Sequence, residues 1–228
     1  MSLSTPRTAL LGCAAVAFVA AAWTALSPQD AALSLLLVAL ALVLSGFVWL
    51  EAGTGSAKEV ALVAVLGGAA AAGRVLFVAV PGVQPVTVVA VAAGAALGAR
   101  VGFAVGAVAA LVSNFYLGQG IWTPWQMLAW GGCGVAGALA ARLIRNRWAF
   151  AALCFALGFA FSSAMDLWHW YSFWPHTWEA LTVVYARGVW FSVAHAIGNV
   201  LFALVIGPEL RRLLERYGRR LRVEVAWV

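Results

Sequence analysis

The chain has 228 residues, 64% of them hydrophobic and 10% charged, with a formal net charge of +6. A water-soluble domain of this length has too little interior to hide so much apolar surface, which excludes a soluble fold. In lipid every backbone polar group needs an internal partner, and long Ala-, Leu- and Gly-rich runs without alternation select helices over a barrel, so the expected fold is an all-α integral membrane helix bundle.

In chain order, apolar runs long enough to cross a bilayer predict spans over Thr8–Leu26, Ala32–Leu50 and Glu59–Val80. The first run continues well past Cys13, which reads as a retained helix, not a cleaved leader. The stretch from Val86 to Leu117 is too long for one crossing, and Arg100 is costly in mid-bilayer. A turn at Gly98-Ala99-Arg100 therefore divides it into Val86–Leu97, short for a full crossing, and Val101–Leu117. Further spans are expected over Trp122–Ile144, Trp148–Met165 and Gly188–Ile206, about eight in all. Cys13, Cys133 and Cys154 lie in apolar runs with neither disulfide nor metal spacing. After Pro208 the tail sets Leu210, Leu213, Leu214, Tyr217 and Leu221 on one helical stripe and arginines on the other. Such a helix suits an anionic inner leaflet or a partner. The expected organisation is a two-helix membrane extension over residues 1–56, a six-helix core over 57–208, and a basic amphipathic tail over 209–228.

Charge placement sets the orientation. With the N-terminus inside, all of the 14 Lys and Arg except Arg74 and Arg187 fall on the inner side, so both termini are expected in the cytosol of a prokaryotic cell, the protein being multi-pass in the plasma membrane. The outer side then collects polar and aromatic groups. The Pro81–Pro85 link supplies Gln84, and the stretch SNFYLGQGIWTPWQ supplies Asn114, Tyr116, Gln119, Trp122, Trp125 and Gln126. A long outer loop from Asp166 to Arg187 supplies Asp166, Trp168, His169, Trp170, Tyr171 and His176. An interfacial aromatic belt accounts for some of these tryptophans, but not for their one-sidedness or for the amides. Aromatic faces offer stacking area and amides fix orientation, which points to a substrate pocket. Arg74, expected about two turns below the outer end of its helix, must face protein or a polar cavity, either paired with Asp166 or in direct contact with the substrate, and one residue can do both. His195 and Asn199, four apart on the last span, read as interhelical hydrogen-bond formers, with Asn199 also a candidate substrate contact. His169 and His176 are too weakly spaced to be taken as metal ligands, and no cofactor is expected.

The segments KEVALVAVLGGAAAAGRVLF, PGVQPVT and GARVGFAVGAVAALVSNFYLGQGIWTPWQMLAWGGCGVAGALAARL resemble the substrate-binding (S) components of energy-coupling factor (ECF) vitamin transporters. The likeness runs from about Lys58 to Leu143, more loosely to Ile206, and leaves the first two spans as an addition to a six-helix core. It implies a non-enzymatic subunit of an ABC-type importer that captures a vitamin or related micronutrient outside the cell. Its partners would be a transmembrane coupling (T) protein, a pair of ABC ATPases and membrane lipids, without nucleic acid. The resemblance implies docking on the coupling protein through small residues, for which Ala57, Ala61, Gly68 and Ala72 qualify. A Trp-rich pocket with few charges favours a large ring system, with cobalamin or another corrinoid the best candidate. No Walker motif is present, so any ATP hydrolysis belongs to partners. The alternative is a membrane-embedded enzyme acting on a lipid or isoprenoid, with Asp166, His169 and Glu179 as acid–base groups.

Overall fold

A computed structural model describes residues 4–24, 30, 33–34, 37–38, 40–41 and 57–224. The expected second span, over Ala32–Leu50, lies largely outside the described residues. Among the described residues the regular structure is entirely helical: α1 (Ser4–Thr24), α2 (Ala57–Leu76), α3 (Val86–Leu97), α4 (Ala99–Leu117), α5 (Thr123–Leu139), a 3₁₀ turn (Leu143–Arg145), α6 (Arg147–Phe173), α7 (Trp178–Val205) and α8 (Gly207–Glu224). Four of these, α2, α4, α6 and α7, are long and apolar enough to cross a membrane. The chain is thus a helix bundle of membrane type.

Helix α3 is its axis. Every residue from Val86 to Gly94 is buried, so the helix is apolar all round rather than on one stripe. Glycines let its neighbours close on it: Gly94 of α3, Gly102 of α4 and Gly134 of α5 meet backbone to backbone, and a Cβ on any of them would strike a neighbouring main chain. The turn from α3 to α4 is made by Gly98 at φ 99°, a left-handed conformation that favours glycine. At 12 residues α3 rises only about 18 Å, well under the ~30 Å of a bilayer core. Helix α8 makes up the difference by packing against the end of α3, with Gly218 against Leu97 and Leu214 fully buried.

The tail is therefore partly built into the bundle. Leu210 packs on the core and Leu214 enters it, whereas Leu213 is exposed, so the expected apolar stripe is divided between protein and surroundings. Arg211 ties the tail down by donating to the main-chain carbonyls of Ile144 and Ala141 and by pairing with Glu215 at 2.8 Å. Those carbonyls belong to the segment following α5, where helix ends leave acceptors unsatisfied.

Several expected boundaries move. Helix α2 ends at Leu76, not Val80, and a run of turns through Gly82 (φ 78°) leads into α3. Arg74 therefore sits in the last turn of its helix, not two turns below its end. Helix α5 stops at Leu139, before the expected Ile144. The largest correction concerns the expected outer loop from Asp166 to Arg187. Helix α6 runs on to Phe173 and α7 begins at Trp178, leaving a link of four residues. Asn146 caps α6 and Thr177 caps α7, each side chain accepting from a first-turn N–H. Polar and aromatic side chains between these caps interrupt the hydropathy but not the backbone hydrogen bonding, so the helices simply continue.

Candidate ligand-binding site

The bundle has two chemically distinct ends. The arginine end holds Arg142, Arg145, Arg147 and α8. The aromatic end holds the C-terminal ends of α2, α4 and α6 and the N-terminal ends of α5 and α7. A cavity of about 260 Å³ lies toward the aromatic end, and its wall includes Arg74, Gln84, Gln126, Asp166, Trp168 and His169. These six were expected site residues, and they come from α2, the α2–α3 link, α5 and α6. Trp130, Phe161, Ser162, Met165 and Phe191 complete the lining. A larger hollow of about 890 Å³ lies at the arginine end between the α5–α6 link and α8. It is the weaker site candidate. It lacks a buried polar cluster, and two of its cations are already matched, Arg211 to Glu215 and Arg212 to Glu209.

Arg74 is held in place by neutral groups. Its Nε donates to Gln84 Oε1 at 3.0 Å, and its Nη1 donates to Ser113 Oγ at 2.6 Å and Asn114 Oδ1 at 2.7 Å. Its guanidinium carbon lies 4.9 Å from the ring centre of Trp130, a cation–π contact. The expected ion pair with Asp166 is not made: both residues line the cavity, but Arg74 has no carboxylate partner among the described residues.

A second layer keeps the first rigid. Asn114, fully buried, donates to Thr123 Oγ1 at 3.0 Å and to Gln126 Oε1 at 2.8 Å. Gln119 accepts from Thr123 and donates to the Leu111 carbonyl. The polar residues of SNFYLGQGIWTPWQ thus mostly fasten the α4–α5 connection and brace Arg74, and of the expected contacts in that stretch only Gln126 reaches the cavity wall. Below it, His195 Nδ1 lies 2.7 Å from the Gly82 carbonyl. A carbonyl can only accept, so the proton is on Nδ1 and Nε2 is free to accept from Thr87 at 3.4 Å. Thr87 in turn accepts from Trp130 Nε1 at 3.2 Å. This relay locks the indole of Trp130 across α3, α5 and α7.

The remaining expected residues lie elsewhere. Tyr116 is exposed on α4, and Trp122 folds over Gly120 at the head of α5. Trp125 packs beside Ile121 and Trp168 behind the wall, its Nε1 buried without a partner. Trp170 donates to the Pro175 carbonyl, and Tyr171 stacks on His176, so these three shape the α6–α7 link. Asn199 donates to the Cys154 carbonyl and holds α7 to α6, as the interhelical reading expects, at a distance from the cavity. On α2, Ala57, Ala61 and Ala72 are exposed, and a Cβ on Gly68 would meet nothing within 4 Å, so these four stay clear of the packed face of the helix, which carries Gly67 and Gly73.

Sequence reasoning missed the aromatic floor. Trp130 and Phe161 stack with ring centres 4.1 Å apart, and Phe191 is a further aromatic in the wall. The available signal was helical spacing: Trp130 follows Gln126 by four, and Ser162, Asp166 and His169 fall at i, i+4 and i+7 on one face of α6.

A family model, described as a family of unknown function (DUF6580), matches residues 54–215, well over half of the chain. Neither a curated protein nor a solved structure matches it.

Proposed function

We propose that this chain, which belongs to the DUF6580 family, is the substrate-capturing subunit of a membrane importer of the S-component type, taking up a small ring-containing nutrient from outside the cell. The observation that carries this reading is a charged, aromatic-floored cavity at one end of an otherwise apolar bundle. A half-buried guanidinium in the membrane part of a protein is costly, and such groups mark ligand sites or pathways. Its bracing by Gln84, Ser113 and Asn114 is the kind of rigid support that a binding group needs.

The positive-inside rule puts the arginine end in the cytosol of a prokaryotic cell and opens the cavity outward, with about eight crossings and both termini inside. The exposed small-residue face of α2 is then the natural seat for a transmembrane coupling protein, itself driven by a pair of ABC ATPases. A cavity of about 260 Å³ matches a ligand, or the part of one that enters it, of one or two fused rings.

Native mass spectrometry of the protein purified from its own cells tests the reading. A small ring compound retained by the parent and lost on Trp168→Ala is the expected result. A chain that carries no small molecule, and that turns over lipid when purified alone, overturns it.

A further inference from the structure

Three side chains of the cavity wall have hydrogen-bonding capacity that the described residues leave unused. Arg74 has five N–H donors. One on Nε and two on Nη1 are taken by Gln84, Ser113 and Asn114, which leaves both donors of Nη2. Asp166 forms no ion pair among the described residues, although Gly188 opposite brings the α7 backbone close to its carboxylate. Ser162 is 3% exposed, yet its Oγ has no hydrogen-bond partner. Buried polar groups are nearly always satisfied, and a cation and an anion that line one small cavity without pairing offer both signs of charge to a guest. Of the aromatic lining, Trp130 and Phe161 are stacked on one another and closed off, at 0% and 4% exposed, whereas Phe191 is exposed and offers its surface to a flat ring.

From this geometry we infer that the cavity takes an aromatic acid that also carries a ring N–H, with the acidic group received by Arg74 and the N–H received by Asp166. The inference rests on the ligand-binding reading above and adds the ligand's chemical class. The acid accepts from Nη2 of Arg74, the ring lies against Phe191, and the N–H donates to the Asp166 carboxylate. Ser162 supplies one further donor beside the ring. A neutral ring satisfies none of the charges, and a simple anion leaves Asp166 facing like charge.

Three bicyclic probes of nearly equal size separate these features: indole-3-carboxylate, indole-3-carboxamide and benzofuran-3-carboxylate. Binding to the full chain in detergent is measured by calorimetry. Charge-assisted hydrogen bonds are about twice as strong as neutral ones, so indole-3-carboxylate is expected to bind at least about tenfold tighter than each of the other two. Asp166→Asn, at a side chain with no ion pair among the described residues, is expected to keep the preference for acid over amide and to weaken the preference for indole over benzofuran, because a neutral amide oxygen accepts the N–H less strongly than a carboxylate. Arg74→Gln is expected to do the reverse; should that variant not fold, the probe comparison on the parent chain still decides. Equal binding of acid and amide overturns the role given to Arg74, and equal binding of indole and benzofuran overturns the role given to Asp166. Binding of none of the three overturns the ligand class, while the receptor reading stands or falls separately on its mass-spectrometric test.

Discussion

The two ends of the bundle use arginine in opposite ways. At the arginine end the cations are exposed or matched: Arg212 pairs with Glu209 at 2.7 Å, Arg100 pairs with Glu59 at 2.9 Å, and Arg211 divides its donors between Glu215 and two main-chain carbonyls. At the aromatic end Arg74 is fixed by three neutral acceptors and a ring face, with no carboxylate partner among the described residues. The first pattern closes and orients a membrane protein. The second leaves charge in reserve, which is what the proposed site draws on.

Substitutions at each end put that contrast to the test, and the largest effect is expected at Arg74. Arg74→Leu strands the acceptors on Gln84 and Asn114 and should cost about 3 kcal/mol or more, together with all binding at the cavity. Denaturation in detergent reads the first loss and calorimetry the second; a variant as stable as the parent would show that the bracing network is idle. Next comes Arg211→Ala, which releases two helix-end carbonyls and should weaken the docking of α8 by about 1–3 kcal/mol. Faster protease cleavage within 207–224, with the rest of the bundle intact, is the expected signature. Unchanged cleavage would mean that Leu210 and Leu214 hold the tail without it.

Trp130→Phe keeps an aromatic face against Phe161 and removes the donor to Thr87, for an expected loss of about 1 kcal/mol in stability and a modest fall in affinity. A loss of several kcal/mol would mean that the His195 relay holds the helices together and does more than aim the indole. The smallest effect is expected at Arg212→Ala. Its partner Glu209 is as exposed as Arg212 itself, and pairs of this kind contribute under about 1 kcal/mol. A melting temperature within error of the parent is expected; a clear drop would erase the distinction between matched and reserved charge.

Much of the site was legible residue by residue. Arg74, Gln84, Gln126, Asp166, Trp168 and His169 stood out because polar and charged side chains are rare in so apolar a chain, and the cavity gathers all six. The others lie away from that wall for identifiable reasons. Asn114 and Gln119 look like ligand contacts in one dimension, because an amide that braces a neighbour and an amide that binds a guest have the same composition. The long outer loop read from Asp166 to Arg187 was an error of the same kind. Tryptophan, histidine and aspartate lower hydropathy, but a helix needs only its backbone bonds and its caps, and Asn146 and Thr177 supply the caps.

Composition and the pattern of apolar runs settled the membrane character and the helical class, because neither depends on which helices touch: 64% apolar residues need lipid, lipid demands closed backbone hydrogen bonding, and runs without alternation select helices over a barrel. The asymmetric placement of arginines likewise follows from chain order. Only the tertiary structure decided that Arg74 and Asp166 share a cavity without pairing, that Trp130 and Phe161 form its floor, and that α8 closes the short α3. Those outcomes turn on distances of a few ångströms between segments far apart in sequence, set by where glycines let backbones meet, and spacing along the chain carries no record of them.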